Sequence, residues 1–184
     1  MRILFFSLAL LIGVTAFAQN KTSYWQQRVE YMMEIDMDVD NHRYKGKQEI
    51  KYINNSPDTL YRVFYHLYFN AFQPGSMMDV KSRTIVDPDP RIGDKIFQLS
   101  EDEIGYQKIL EITQNGIKCD FEVYETVMKL SLVKPALPNS TIEIVLKFKA
   151  QVPLQVRRTG RNNQENIKSH LMVVDIQAEF TIID

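Results

Sequence analysis

From Val29 to Asp40 the chain alternates apolar and acidic residues almost without interruption. Val29, Tyr31, Met33, Ile35, Met37 and Val39 fall on one side, and Glu30, Glu34, Asp36, Asp38 and Asp40 fall on the other. Successive side chains of a strand point to opposite faces of a sheet, so this period of two predicts a half-buried strand with an acidic, wet face. A helix would scatter the same apolar positions around its circumference. Asp40-Asn41-His42 supplies turn chemistry. Arg43 to Ile53 then repeats the alternation, with Tyr44, Ile50 and Tyr52 set against Arg43, Lys45, Lys47, Glu49 and Lys51. The pair reads as an antiparallel hairpin whose acidic first strand faces a basic second one, an arrangement that favours the register.

The remaining sequence extends the same theme. Asn54-Asn55-Ser56-Pro57-Asp58 is a loop by composition. Leu60 to Phe69 is nearly continuous in apolar and aromatic groups, with Val63, Tyr65, Leu67 and Phe69 on one side and Phe64, His66 and Tyr68 on the other, which predicts a strand covered on both faces. Asn70 to Gly105 lacks sustained periodicity. A connection this long is functional or mobile more often than a plain linker, and an ordered excursion with a short helical turn around Ser100 to Ile104 is expected.

Strand signals resume at Lys108 to Thr113. Asn115-Gly116, the strongest short hairpin signal, precedes Ile117, Cys119, Phe121 and Val123 in alternation. Met128, Leu130 and Leu132 mark another strand, Lys134 to Ser140 turns the chain, and Ile142, Ile144, Leu146, Phe148 and Ala150 mark the last. Seven or so strands with no long helical period and no internal repeat predict an all-β antiparallel sandwich or saddle-shaped sheet with one long loop excursion.

Two segments lie outside that body. Met1 and Arg2 precede an apolar run from Ile3 to Phe17 that closes on Ala16-Phe17-Ala18, the layout of a cleaved export signal. The polar residues Gln19, Asn20 and Lys21 follow too soon for a membrane span of about 20 residues. The expected organisation is a signal peptide over 1–18, a lead-in over 19–28, a β domain over 29–156 and a basic linker with tail over 157–184. The protein is thus expected to be exported, to the periplasm or outside the cell, with no membrane span once the signal is removed.

A single cysteine, Cys119, permits no internal disulfide, so burial must supply stability. A chain of 184 residues buries about 70% of its unfolded surface on folding and needs no staple. Lys and Arg number 22 against 23 Asp and Glu, which leaves no electrostatic excess to hold a phosphate backbone and excludes nucleic acid as a partner.

Catalytic chemistry is not visible. His42, His66 and His170 show no i, i+4 pairing for zinc, and H-E-x-x-H does not occur. Asp36-Met37-Asp38-Val39-Asp40 resembles half a calcium loop. Asn41 and Lys47 stand where such a loop needs Gly and Glu, so a solvated strand face is the better account. Asp87, Asp89 and Asp94 read as a surface excursion more readily than as a cation loop. No G-x-S-x-G turn occurs, and Cys119 in an alternating strand reads as a buried, inert thiol. Asn20, Asn54 and Asn139 open glycan acceptor patterns that are also ordinary loop composition. Catalytic and metal-binding residues are therefore expected to be none, and substrate-binding residues stay unassigned.

A family resemblance begins at Tyr24-Trp25-Gln26-Gln27-Arg28-Val29. Tyr31-x-Met33-x-Ile35-x-Met37-x-Val39, Tyr44-x-Gly46, Tyr52 to Leu60 and above all Tyr61 to Ser76 resemble the amino-terminal domain of exported bacterial aminopeptidase N-like zinc metallopeptidases, the gluzincins. Val152 to Asn163 extends the likeness. The resemblance implies a saddle-shaped β domain that packs on a thermolysin-like catalytic domain, which carries the zinc, H-E-x-x-H and a later Glu. With that motif missing, this chain is expected to be a truncated or frameshifted member that binds no zinc and is inactive alone, its partner being the missing catalytic domain. Residues 167–184 do not match the family, so Gln177 takes no substrate role. The second expectation, of another class, is a standalone exported module that binds a protein or peptide on the Leu60 to Phe69 sheet face.

Overall fold

The computed structural model describes residues 24–85, 92–156 and 160–162. The signal-peptide reading, most of the basic tail, Asp87, Asp89, His170 and Gln177 lie outside them. All strand pairings are antiparallel, in two sheets. β1 (Arg28–Asp38), β2 (Arg43–Asn54), β4 (Tyr106–Gln114), β5 (Ile117–Lys118) and β8 (Ser140–Gln151) form a five-stranded sheet in the order β1-β2-β8-β4-β5. β3 (Leu60–His66), β6 (Phe121–Tyr124) and β7 (Val127–Ala136) form a three-stranded sheet in the order β3-β7-β6. The expected all-β sandwich is what forms.

The hairpin register is the one that charge favours. Glu30 faces Lys51, Glu34 faces Lys47, Asp36 faces Lys45 and Asp38 faces Arg43. Lys45 and Asp36 pair at 3.0 Å and Lys51 and Glu30 at 3.8 Å, whereas Lys47 turns to Glu49 on its own strand. Asp38 closes the turn, accepting from the Asn41 backbone N–H at 3.0 Å and its side-chain amide at 2.7 Å, and these bonds hold its carboxyl below the usual carboxylate range. The acidic run is thus a strand face and a turn.

The apolar rows meet between the sheets. Tyr44, Ile50 and Tyr52 of β2, Ile142, Ile144, Leu146 and Phe148 of β8 and Ile112 of β4 pack towards Val63 and Tyr65 of β3 and Met128 and Leu130 of β7. At about 25 cal/mol per Å² of apolar surface removed from water, this layer is the main source of stability. Phe148 lies over Gly46, where a Cβ would come within 2.8 Å of both its ring and the Glu34 carbonyl oxygen. Only glycine lets β1, β2 and β8 close up at that point.

Four expectations need correction. The apolar side of β1 is not buried like that of β2: Val29, Met33 and Met37 are half-buried, while Tyr31 and Ile35 are 44% and 43% exposed. β1 is the edge strand of the large sheet, paired only with β2. The alternation from Ile117 to Val123 is not one strand. The chain leaves the large sheet after Lys118 and enters the small one at Phe121, with buried Cys119 at the crossing. Asn115 and Gly116 do make the tight turn before it, with φ of 49° and 79°.

The other two corrections concern the middle of the chain. Leu60 to Phe69 is a strand only to His66. Phe69 is buried from within a 3-10 turn, Tyr68–Ala71, and the outward side of the strand is half-buried or exposed instead of covered. The excursion that follows contains a two-turn helix, α1 (Met77–Thr84), that periodicity did not predict. The expected turn at Ser100 is present: Glu103 and Ile104 N–H groups bond the Ser100 carbonyl, and the Glu103 carboxylate accepts from the Ser100 N–H and hydroxyl. Ile92, Ile96 and Leu99 anchor the excursion in the core.

Candidate interaction surface

The outward side of the small sheet is the part of the molecule that chemistry singles out. Strand register sets Phe64 of β3 beside Lys129 of β7 and Glu122 of β6, and sets His66 beside Val127 and Tyr124. Glu122 is the polar centre of the first row. It accepts from the Tyr124 hydroxyl at 2.6 Å and pairs with Lys129 at 3.3 Å, and both contacts lower its pKa. His66 stacks on Tyr68 with ring centroids 5.1 Å apart and an interplanar angle of 8°. Arg62, just after the bulge where β3 starts, extends the face along the strand.

One turn ties this sheet to the excursion. The Leu67 N–H bonds the Thr126 carbonyl at 2.7 Å, and the Asn70 side-chain amide bonds the Glu125 carbonyl at 2.8 Å. The Glu125 carboxylate accepts from the Met77 N–H at 3.1 Å, at the start of α1. As a result Met77 and Val80 of α1, together with Gly75, Thr84 and Ile85, line a shallow groove at Glu125. Tyr68, Tyr124, Met77 and Val80 all expose large apolar surface at 47%, 61%, 70% and 44%. Exposed aromatic and methionine side chains flanking the Glu125 turn, beside a few fixed polar groups, match the composition of a protein interface.

α1 is held in place by a polar knot. The Ser76 hydroxyl caps the helix by accepting from the Asp79 N–H at 3.2 Å and donates to the Ala71 carbonyl at 2.7 Å. The Asp79 side chain is fully buried, accepting from Arg83 Nε and Nη2 at 2.9 and 3.0 Å and from the Gly75 N–H at 2.8 Å. Burial pushes the Asp79 carboxyl up, but the Arg83 bonds, the Gly75 N–H and the Arg83 charge outweigh it and hold the group below its ordinary range. Arg83 in turn covers the Phe97 ring at 4.5 Å.

The residues considered for chemistry are placed apart and in structural roles. His42 lies half-buried in the β1–β2 turn at a φ of 54°, with burial lowering its pKa, and its carbonyl accepts from the Val152 N–H. Cys119 is buried, bonded through its backbone to Ile112, and burial raises its thiol pKa, which is the inert state. Asp94 accepts from the Gln98 side chain at 2.6 Å. Asn54 is buried, while Asn139 is exposed at a φ of 56°. Among the described residues no group of three His, Cys, Asp or Glu side chains could hold a metal ion, and no helix is long and apolar enough to cross a membrane.

The sequence pointed to His66 and Tyr68 but not to Tyr124, Met77 or Val80. Ser76-x-x-Asp79 was the available signal for α1, since a Ser three residues before an acid opens a capped helix. Arg161, assigned to the basic linker, bonds back to the body through its side chain to the Asp102 carbonyl at 2.6 Å and through its N–H to the Pro153 carbonyl at 2.8 Å.

No protein-family model matches the chain, and no curated protein matches it. Among solved structures it is similar to an M1 zinc metallopeptidase from Deinococcus radiodurans, with 12% identity and a TM-score of 0.46 over 76% of this chain and 25% of that one. It is also similar to a mutant M1 zinc metallopeptidase of the same organism bound to a Tyr-Ser-Ala substrate, with 11% identity and a TM-score of 0.43 over 70% of this chain and 21% of that one. A two-domain mutant M1 zinc metallopeptidase bound to L-arginine gives 12% identity and a TM-score of 0.46 over 75% of this chain and 24% of that one. The chain spans a quarter or less of each of these proteins.

Proposed function

We propose that this chain is the non-catalytic β domain of an aminopeptidase N-like zinc metallopeptidase, and that it docks on a zinc-bearing catalytic body through the outward face of its small sheet. The supporting observation is the surface formed by Tyr68, Tyr124, Met77 and Val80, which is too apolar to be a plain solvated face and is fixed by hydrogen bonds from both flanking elements. The sequence resemblance that suggests the family is strongest over Tyr61 to Ser76, the stretch that builds β3, the 3-10 turn and the cap of α1. Conserving chain geometry there would preserve the docking face. In this reading the domain contributes shape and buried area, and the Lewis-acid chemistry of zinc belongs to the partner body.

The test uses the full chain and a separately produced H-E-x-x-H body of this peptidase family, with affinity read by calorimetry. The double variant Tyr68→Lys, Tyr124→Lys keeps the fold because both rings are exposed, and it weakens association by at least about tenfold if the aromatic pair anchors the interface. Unchanged affinity in that variant, or no association of the parent chain, would overturn the assignment of this face.

A further inference from the structure

The strand β1 leaves one long side of the large sheet open. It runs for 11 residues, pairs only with β2, and presents a row of backbone N–H and C=O groups to which no other described strand bonds. Its two side-chain rows are unlike. One carries Glu30, Glu34, Asp36 and Asp38, and the other carries Tyr31, Met33 and Ile35, which are half-buried to half-exposed.

Charge selects what can pair there. Two copies of β1 set antiparallel about Met33 would bring Glu30 opposite Asp36, which repels, and Asp38 opposite Arg28, which attracts, so charge gives no net drive to self-association through this edge. The strand that β1 does accept, β2, shows the complementary pattern, with Arg43, Lys45, Lys47 and Lys51 opposite Asp38, Asp36, Glu34 and Glu30. β2 meets that demand only in part: Lys45 and Lys51 pair with Asp36 and Glu30, but Glu34 has no ion-pair partner within 4.0 Å among the described residues, because Lys47 bonds Glu49 instead, and Asp36 remains 73% exposed. A strand added on the open side would find the Glu34 carboxylate without an ion-pair partner among the described residues, the exposed Asp36 beside it, and the apolar row of Tyr31, Met33 and Ile35 to cover.

We propose that the free edge of β1 is a β-augmentation site for an extended peptide segment that alternates basic and apolar residues, taken up antiparallel as a sixth strand of the large sheet. Backbone hydrogen bonds would supply affinity, and the two side-chain rows would supply selectivity. The site is separate from the small-sheet face, so it stands or falls without the docking assignment.

Hydrogen exchange on the full chain tests this, with a nine-residue peptide alternating Lys and Val as the probe and its Glu-for-Lys counterpart as control. The expected result is protection of alternate β1 amides by the basic peptide alone, with affinity falling as salt is raised. Glu34→Lys, which breaks no ion pair, should weaken the basic peptide by about five- to tenfold. Three outcomes would overturn the proposal: β1 amides already protected without peptide, which means that the chain's own remaining residues cover the edge; a dimer with protected β1, which means that a second copy does; or no change at millimolar peptide.

Discussion

Asp79→Ala lowers the free energy of unfolding by about 3 kcal/mol, measured by urea denaturation at pH 7. The substitution removes a fully buried carboxylate that satisfies the Gly75 N–H, accepts from Arg83 Nε and Nη2 and sits in the first turn of α1. The pH dependence identifies the cause. A carboxyl held below its unfolded value of about 3.9 contributes stability that is complete above that pH and is lost as pH falls through the folded pKa. The gap between the parent and Asp79→Ala therefore closes in acid. Arg83→Ala has the opposite slope, because the carboxylate stays buried without its cation and its pKa rises; that variant loses stability as pH rises above about 4 and regains it on acidification. Parallel pH profiles for the parent and both variants would show that the ion pair does not hold the excursion.

Asn54→Ala is the second large effect, a loss of about 3 kcal/mol or more by the same measurement. Asn54 is fully buried where β2 ends, and its amide nitrogen serves the carbonyls of Asp58, Ala136 and Leu137 at 2.8, 3.0 and 3.2 Å. Its side-chain oxygen receives the Gln27 amide at 3.0 Å and the Ser56 N–H and hydroxyl at 3.1 and 2.7 Å. Alanine removes this bond from each group; the Leu137 carbonyl keeps Ser140 and the Asp58 carbonyl keeps the Ser56 hydroxyl, but the buried Ala136 carbonyl and the Ser56 N–H lose their side-chain partner, which is the costly half of hydrogen-bond energetics. Asn54→Asp is at least as damaging at pH 7, since it points a carboxylate at three carbonyl oxygens, and it recovers partly in acid as the carboxyl takes up a proton. A surface-like loss of less than about 0.5 kcal/mol would remove Asn54 from the account. The same engagement keeps Asn54 from serving as a glycan acceptor on the folded chain.

These two residues also mark where the sequence was legible. Asn54 closes β2, one residue past the strand end that composition suggested, while period-two patterning located β1, β2, β4 and β8 of the large sheet and the tight turn at Asn115-Gly116. Alternation says which side of a strand is apolar, but it does not say what lies over that side. Tyr31 and Ile35 therefore looked as buried as Ile50 and Tyr52, and the difference follows from position, since β1 is the edge of the sheet and β2 lies inside it. The crossing at Cys119 was invisible for a related reason, because the side-chain pattern of Ile117 to Val123 continues while hydrogen-bond partners change. α1 escaped notice because Met77 to Thr84 has no apolar stripe. It is held by Ser76, Asp79 and Arg83, three polar residues whose pairing exists only in the fold. The interaction surface was half legible: His66 and Tyr68 belong to an aromatic run in the sequence, while Tyr124, Met77 and Val80 join them through the Glu125 turn.

In the proposed function this protein offers docking surface while the hydrolytic zinc centre resides on another body. Zinc titration of the purified full chain by calorimetry, with a chelator in competition and peptide hydrolysis followed in parallel, tests it most directly. The account predicts no zinc retained against the chelator and no zinc-dependent release of amino acids. One equivalent of zinc held against the chelator, with hydrolysis that follows its loading, would contradict it.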